Sequence, residues 1–147
     1  MTRTIYDLLA RNRAPKRSGP HVVAGSDGSA TIYLYDVIGC GAIEADALVK
    51  ELDALDARRI DLRINSPGGD VFAARAIKTA LERHPAKVTA YVDGLAASAA
   101  SVVMLGAERV LIAPGAFVML HQPWTVAAGD ARTMRARQAS RRRRSPP

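Results

Sequence analysis

The sequence predicts an α/β fold on a mostly parallel sheet, and three observations point there. Short β-branched runs alternate with segments of helical apolar spacing. Each run closes on a turn-forming cluster before the next helical segment begins. Of the 147 residues, 48% are hydrophobic and only 5% aromatic, and this small aliphatic complement suits helices packed closely on a sheet. Strands separated by helices within one sheet imply parallel pairing through right-handed crossovers.

Residues 1–30 read as a peripheral lead-in: residues 5–10 have the spacing for one or two helical turns, and 13–29, rich in Pro, Gly and Ser, predict a loop. Residues 31–37 (TIYLYDV) are β-branched and aromatic, hence a strand. Over 43–57, Ile43, Ala47, Leu48, Leu52 and Leu55 recur at helical spacing, with acids early and Arg58 and Arg59 at the end, as the helix dipole favours. Residues 60–64 (IDLRI) alternate as a strand and are broken by Asn65-Ser-Pro-Gly-Gly69. Asp70 is placed to cap a helix over 71–83, which ends before Pro85. A strand over 87–92, a turn at Asp93-Gly94 and an Ala-rich buried helix over 97–106 follow. Short strands at 109–112 and 117–120, a loop with Pro123 and a helix starting near Gly129-Asp130 complete the pattern.

Bulk properties narrow the setting. Cys40 is the only cysteine, which excludes an intrachain disulfide and suits a reducing cytoplasm. Residues 1–14 contain no apolar core of signal-peptide length, and the longest apolar stretch, 95–107, falls short of the roughly 20 residues that span a bilayer. A soluble protein without membrane contact is expected. The net charge of +7 suggests nucleic acid until its location is noted. Seven arginines follow Asp130 with no acid among them; the other 14 basic residues balance the 14 acids. Nucleic acid is therefore not an expected partner except through the Arg-rich tail. No Gly-Lys-Ser/Thr phosphate loop occurs, and neither a metal nor a cofactor is expected.

Three segments follow strands, where open α/β sheets collect their sites. Ser98 stands at a strand-to-helix junction, whose free N–H groups suit an oxyanion, and its alanine neighbours allow a substrate backbone to approach. Taken alone, a serine in an Ala-rich segment is most often a core residue, and Ser101 is a compositional decoy. Ser66-Pro67-Gly68-Gly69 permits backbone angles closed to other residues, although, taken alone, such a segment is more often an ordinary strand-to-helix turn. His121 has an imidazole able to accept and return a proton near neutrality. A lone loop histidine more often serves a nearby carbonyl. His21 and His84 compete for the role, but neither follows a core strand.

Together, Ile64-Asn-Ser-Pro-Gly-Gly69, Gly94-Leu-Ala-Ala-Ser-Ala99 and Met119-Leu-His-Gln-Pro123 resemble, in order and spacing, the Clp protease proteolytic subunit (ClpP) family. Asp70-Val-Phe72 and Val92-Asp-Gly-Leu-Ala-Ala-Ser98 look most like the phage ClpP-related head maturation (prohead) proteases. The resemblance spans about residues 32–130 and divides the chain into lead-in 1–30, peptidase core 31–130 and a truncated helix with Arg-rich tail 131–147. It implies a ClpP/crotonase-like spiral of β-α-β units and a serine endopeptidase with Ser98 as nucleophile and His121 as general base. The Gly69 and Ala99 amides would form the oxyanion hole. A polypeptide substrate would lie extended along Ser66, Pro67 and Gly68. The family further implies a homo-oligomeric ring, an ATP-dependent unfoldase or phage capsid proteins as partners, and a bacterial cytoplasm or phage prohead as location.

The family's third catalytic residue is an Asp well downstream of the histidine. Here the only acid after His121 is Asp130, at an expected helix start, while Asp70 and Asp93 match no triad position. Residues 139–147 have no apolar face, so a frameshift or truncation near residue 138 is expected, with a genuine basic tail as the alternative. Activity weakened by the missing Asp follows from this reading. Two other functions fit the fold: a non-catalytic assembly protein, and an acyl-coenzyme A thioester enzyme that needs no Ser–His pair.

Overall fold

The computed structural model describes residues 22–39 and 41–121. In chain order these form β1 (Val22–Ala24), β2 (Ser29–Leu34), α1 (Ala45–Asp53), β3 (Arg59–Ser66), α2 (Val71–Arg83), β4 (Lys87–Ala97), α3 (Ala99–Met104), β5 (Arg109–Ile112) and β6 (Phe117–Met119). The strands are ordered β1-β2-β3-β4-β5, and β6 also pairs with β4. Only β1 is antiparallel to its neighbour; every other pair is parallel. The expected α/β class with a mostly parallel sheet is what the chain adopts. The helical turns at 5–10, the helix beginning at 129 and the tail lie outside the described residues.

Alternation along the strands decides which face is covered. Ile32 and Leu34 of β2, Ile60, Leu62 and Ile64 of β3, and Val88, Ala90 and Val92 of β4 are all buried. They share one core with Leu48 and Leu52 of α1, Ala74, Ile77 and Leu81 of α2, and Ala100 and Val103 of α3. The alternate positions Tyr33, Arg63 and Tyr91 are only partly covered or exposed. Each buried Leu, Ile or Val contributes about 1.5–3 kcal/mol. The ion pairs Lys50–Asp46 and Arg59–Asp27 are exposed and screened by solvent, so they add little. Apolar burial therefore holds the fold.

Asp70 caps α2 as expected: its carboxylate accepts from the Phe72 and Ala73 N–H groups at 2.7 and 2.9 Å. Three local expectations differ. Val22–Ala24, placed by sequence within a loop, is a strand, because Val22 pairs opposite Ile32 on the edge of the sheet. Asp93-Gly94 does not end its strand, and β4 runs on to Ala97. The helix after it consequently starts at Ala99, since Ala96 and Ala97 are paired with Val118 and Met119.

Candidate active site

The change of partner along β4 brings the motifs together. Thr89 to Val92 pair with β5, whereas Leu95 to Ala97 pair with β6. Between these stretches β4 bulges: Ile64 faces Val92 and Ser66 faces Ala96, so Asn65 alone spans Asp93, Gly94 and Leu95. Past the bulge, β3, β4 and β6 run side by side to the same end of the sheet. They deliver the Ser66–Gly69 turn, Ser98 and His121 there.

Ser98 is the one non-glycine among the described residues with positive φ, at φ 52° and ψ −120°. This region is strained for an L-residue, at about 1–3 kcal/mol, and persists only where its surroundings hold it. Here three contacts hold it. The Ser98 N–H donates to the Met119 carbonyl at 2.9 Å, two residues before His121. The Ser98 carbonyl accepts from the Ser101 N–H at 3.0 Å and from Ser101 Oγ at 2.5 Å. Ser101 is thereby buried and committed to supporting the turn.

The double-glycine turn packs directly under Ser98. A Cβ on Gly68 would lie 2.5 Å from the Ala97 carbonyl oxygen, 2.8 Å from the Ala99 nitrogen and 2.9 Å from Ser98 Cβ. On the other side, Gly69 (φ 145°) leaves no room for a Cβ, which would fall 2.2 Å from the Ile38 carbonyl oxygen. Ile38 clamps the turn through its backbone: its N–H donates to Gly68 O and its carbonyl accepts from Asp70 N–H, both at 2.9 Å. That bridge does not use the Gly69 N–H. Ser66 is fully buried; its Oγ donates to the Asp36 carbonyl at 2.6 Å and accepts from the Gly68 N–H at 3.1 Å. Pro67 and Gly69 are exposed on the rim. Ala99 is the first residue of α3, where a backbone N–H has no acceptor within the helix.

His121 is exposed beyond β6. The competing His84 caps the end of α2, at the opposite end of the sheet. Its Nε2 lies 3.1 Å from the Leu55 carbonyl, and its Nδ1 accepts from the Ala86 N–H at 3.1 Å. This makes His84 a structural residue with its protonated nitrogen at Nε2. The acids flanking the motifs are also engaged: Asp70 caps α2, and Asp93 accepts from Arg63 and Tyr35. Sequence reading missed Ile38, because its part is played by backbone atoms. It also missed the Arg63–Asp93–Tyr35 cluster, because those residues meet only across three strands.

A strained serine turn thus sits on a double-glycine turn at the carboxyl ends of parallel strands. The chain belongs to the Clp protease family, which it matches over residues 28–144. It is 39% identical over 94 residues to the chloroplastic ATP-dependent Clp protease proteolytic subunit 4 of Arabidopsis thaliana, covering 59% of this chain and 32% of that protein. Subunit 3 from the same plant is 36% identical over 99 residues, covering 63% and 32%. The chain thus spans about a third of the length of these relatives. Among solved structures, ClpP1 from Listeria monocytogenes superposes with a TM-score of 0.56 at 27% identity, covering 76% of this chain and 68% of that one. The ClpP protease catalytic domain from Plasmodium falciparum gives 0.54 at 33% identity, covering 63% and 54%. The family expected from the three motifs is the one found. No helix among the described residues is long and apolar enough to cross a membrane.

Proposed function

We propose that this chain is a serine endopeptidase that cleaves polypeptides through an acyl-enzyme. The observation carrying this reading is the positive φ of Ser98 at the junction of β4 and α3. Such a turn projects a serine Oγ out of the sheet, as nucleophile-bearing strand-to-helix turns do. Ser98 Oγ attacks the scissile carbonyl carbon while His121 takes the hydroxyl proton and then returns it to the leaving amine. The Gly69 and Ala99 N–H groups receive the oxyanion. Water, activated by the same histidine, then releases the acyl group. The substrate lies extended along the Ser66–Gly69 segment and is held through its main chain. Exposed apolar groups at this end of the sheet, Phe72, Phe117, Met119 and Leu120, offer contacts for its side chains.

Removing the aspartate from a Ser–His–Asp triad costs about ten-thousand-fold in turnover. No acid of this sequence is assigned the third triad role, and hydrolysis slower than that of a complete triad belongs to this proposal. Phage capsid maturation or general Clp-type proteolysis, in a bacterial cytoplasm or a prohead, is the proposed setting. A ring of copies and an unfoldase or capsid partner belong to the same proposal. The test is covalent labelling with a fluorophosphonate. Labelling that disappears in Ser98→Ala supports the peptidase; a folded chain that never labels supports a non-catalytic assembly protein instead.

A further inference from the structure

On the face of the sheet away from the core, a chain of side chains crosses from β2 to β4 beside the β4 bulge. Arg63 donates to both carboxylate oxygens of Asp93, through Nε at 2.8 Å to Oδ2 and through Nη2 to Oδ1. Tyr35, just past β2, donates to the same Oδ2 at 2.6 Å. The Arg63 guanidinium lies 5.3 Å from the Tyr91 ring centroid, and Tyr33 meets Tyr35 edge-on at 5.5 Å. Asp93 is the first residue of the bulge, five residues before Ser98.

A bulge leaves residues out of the ladder, so ladder hydrogen bonds alone do not determine its path. The bulge also lies where β4 passes from β5 to β6 and where β4 heads for the strained turn. Gly94 shows how closely the path is packed: a Cβ there would fall 2.8 Å from Asn65 Oδ1. A two-pronged guanidinium–carboxylate pair adds what the ladder lacks, a direction as well as an attraction. We propose that Arg63, Asp93 and Tyr35 form a positioning latch that sets the path of the β4 bulge and, through it, the attack geometry of Ser98. The latch rests on the reading of Ser98 as nucleophile.

The pair is partly solvated, with Arg63 and Asp93 side chains 39% and 19% exposed, so it adds little to global stability. Its effect falls on placement, where an error of about 1 Å can cost about a hundredfold in rate. Asp93→Asn keeps the side-chain shape and removes the charge; Arg63→Lys keeps the charge and removes the two-pronged geometry. The expected result in both is a maximal fluorophosphonate labelling rate reduced at least about tenfold. The half-saturating concentration and the thermal midpoint should stay close to wild type. Amide hydrogen exchange across residues 94–101 should quicken, with β2 and β3 unchanged. Wild-type labelling matched by Asp93→Asn overturns the latch while leaving the nucleophile in place. Absence of wild-type labelling overturns the nucleophile reading; exchange across 94–101 then decides the latch, which fails if Asp93→Asn and wild type exchange alike.

Discussion

Gly68 lies so close under Ser98 that a β-carbon on the glycine would sit 2.9 Å from the serine Cβ. Two motifs about thirty residues apart in sequence are therefore one packed unit, and a methyl group at one must displace the other. Gly68→Ala also meets backbone on both sides of Ser98 and carries a φ of 92°. It is expected to lower stability by about 1–3 kcal/mol and to abolish fluorophosphonate labelling. Chemical denaturation alongside labelling checks both; a variant that labels normally would mean the turn is not held by this contact.

Strain at Ser98 makes the opposite prediction for stability. With φ 52° and ψ −120°, the residue occupies a region that glycine enters freely and serine does not. Ser98→Gly should raise stability by about 1 kcal/mol while eliminating labelling. A rise in thermal midpoint with loss of function would show that the serine is retained against the preference of the fold.

Ser101 separates support from chemistry. Its Oγ is committed to the Ser98 carbonyl, so Ser101→Ala loses one buried hydrogen bond, worth about 1 kcal/mol. Labelling should persist at Ser98 in this variant, at a reduced rate. Peptide mapping of the labelled protein checks the site, and label found on Ser101 would reverse the assignment.

The Tyr35 phenol should titrate late. Burial first, and then its hydrogen bond to Asp93, hold its pKa above the ordinary value of 10.0. A raised pKa means that the folded chain keeps the proton more tightly than the unfolded chain. The resulting stabilisation is fully present below about pH 10 and is lost as pH climbs through the folded value. Wild type should therefore lose stability relative to Tyr35→Phe above about pH 10. Denaturant midpoints of the two proteins across alkaline pH test this, and parallel curves would refute it.

Much of the fold could be read before the structure, and the misreadings fall where pairing overrides the local signal. The α2 helix over 71–83 with its Asp70 cap, and the β5 strand over 109–112, came out with the expected bounds because spacing and capping are local. Val22–Ala24 was misread because a three-residue run inside a Gly- and Ser-rich stretch becomes a strand only by pairing back on β2, and the passage of β4 through Asp93-Gly94 because β4 finds its partners around that pair on β3 and β6. A Gly-containing pair that signals a turn locally becomes a bulge when Asn65 faces it on one side and β6 takes over on the other.

What the sequence determined by itself was the order of the motifs and the α/β class, which follow from residue type and spacing that a linear chain displays directly. The family came from the resemblance of those motifs, and the proposed roles of Ser98, His121, Gly69 and Ala99 are what that resemblance implies. The tertiary structure alone decided that Ser98 is strained, that Ser101 and His84 are structural, and that Ile38 clamps the glycine turn. It alone also decided that Arg63 and Tyr35 both hold Asp93. The Ser98 turn, the Ile38 clamp and the Asp93 cluster depend on atoms brought together by strand pairing, which becomes visible only when the strands are assembled; Ser101 and His84 are settled by side-chain contacts at helix ends.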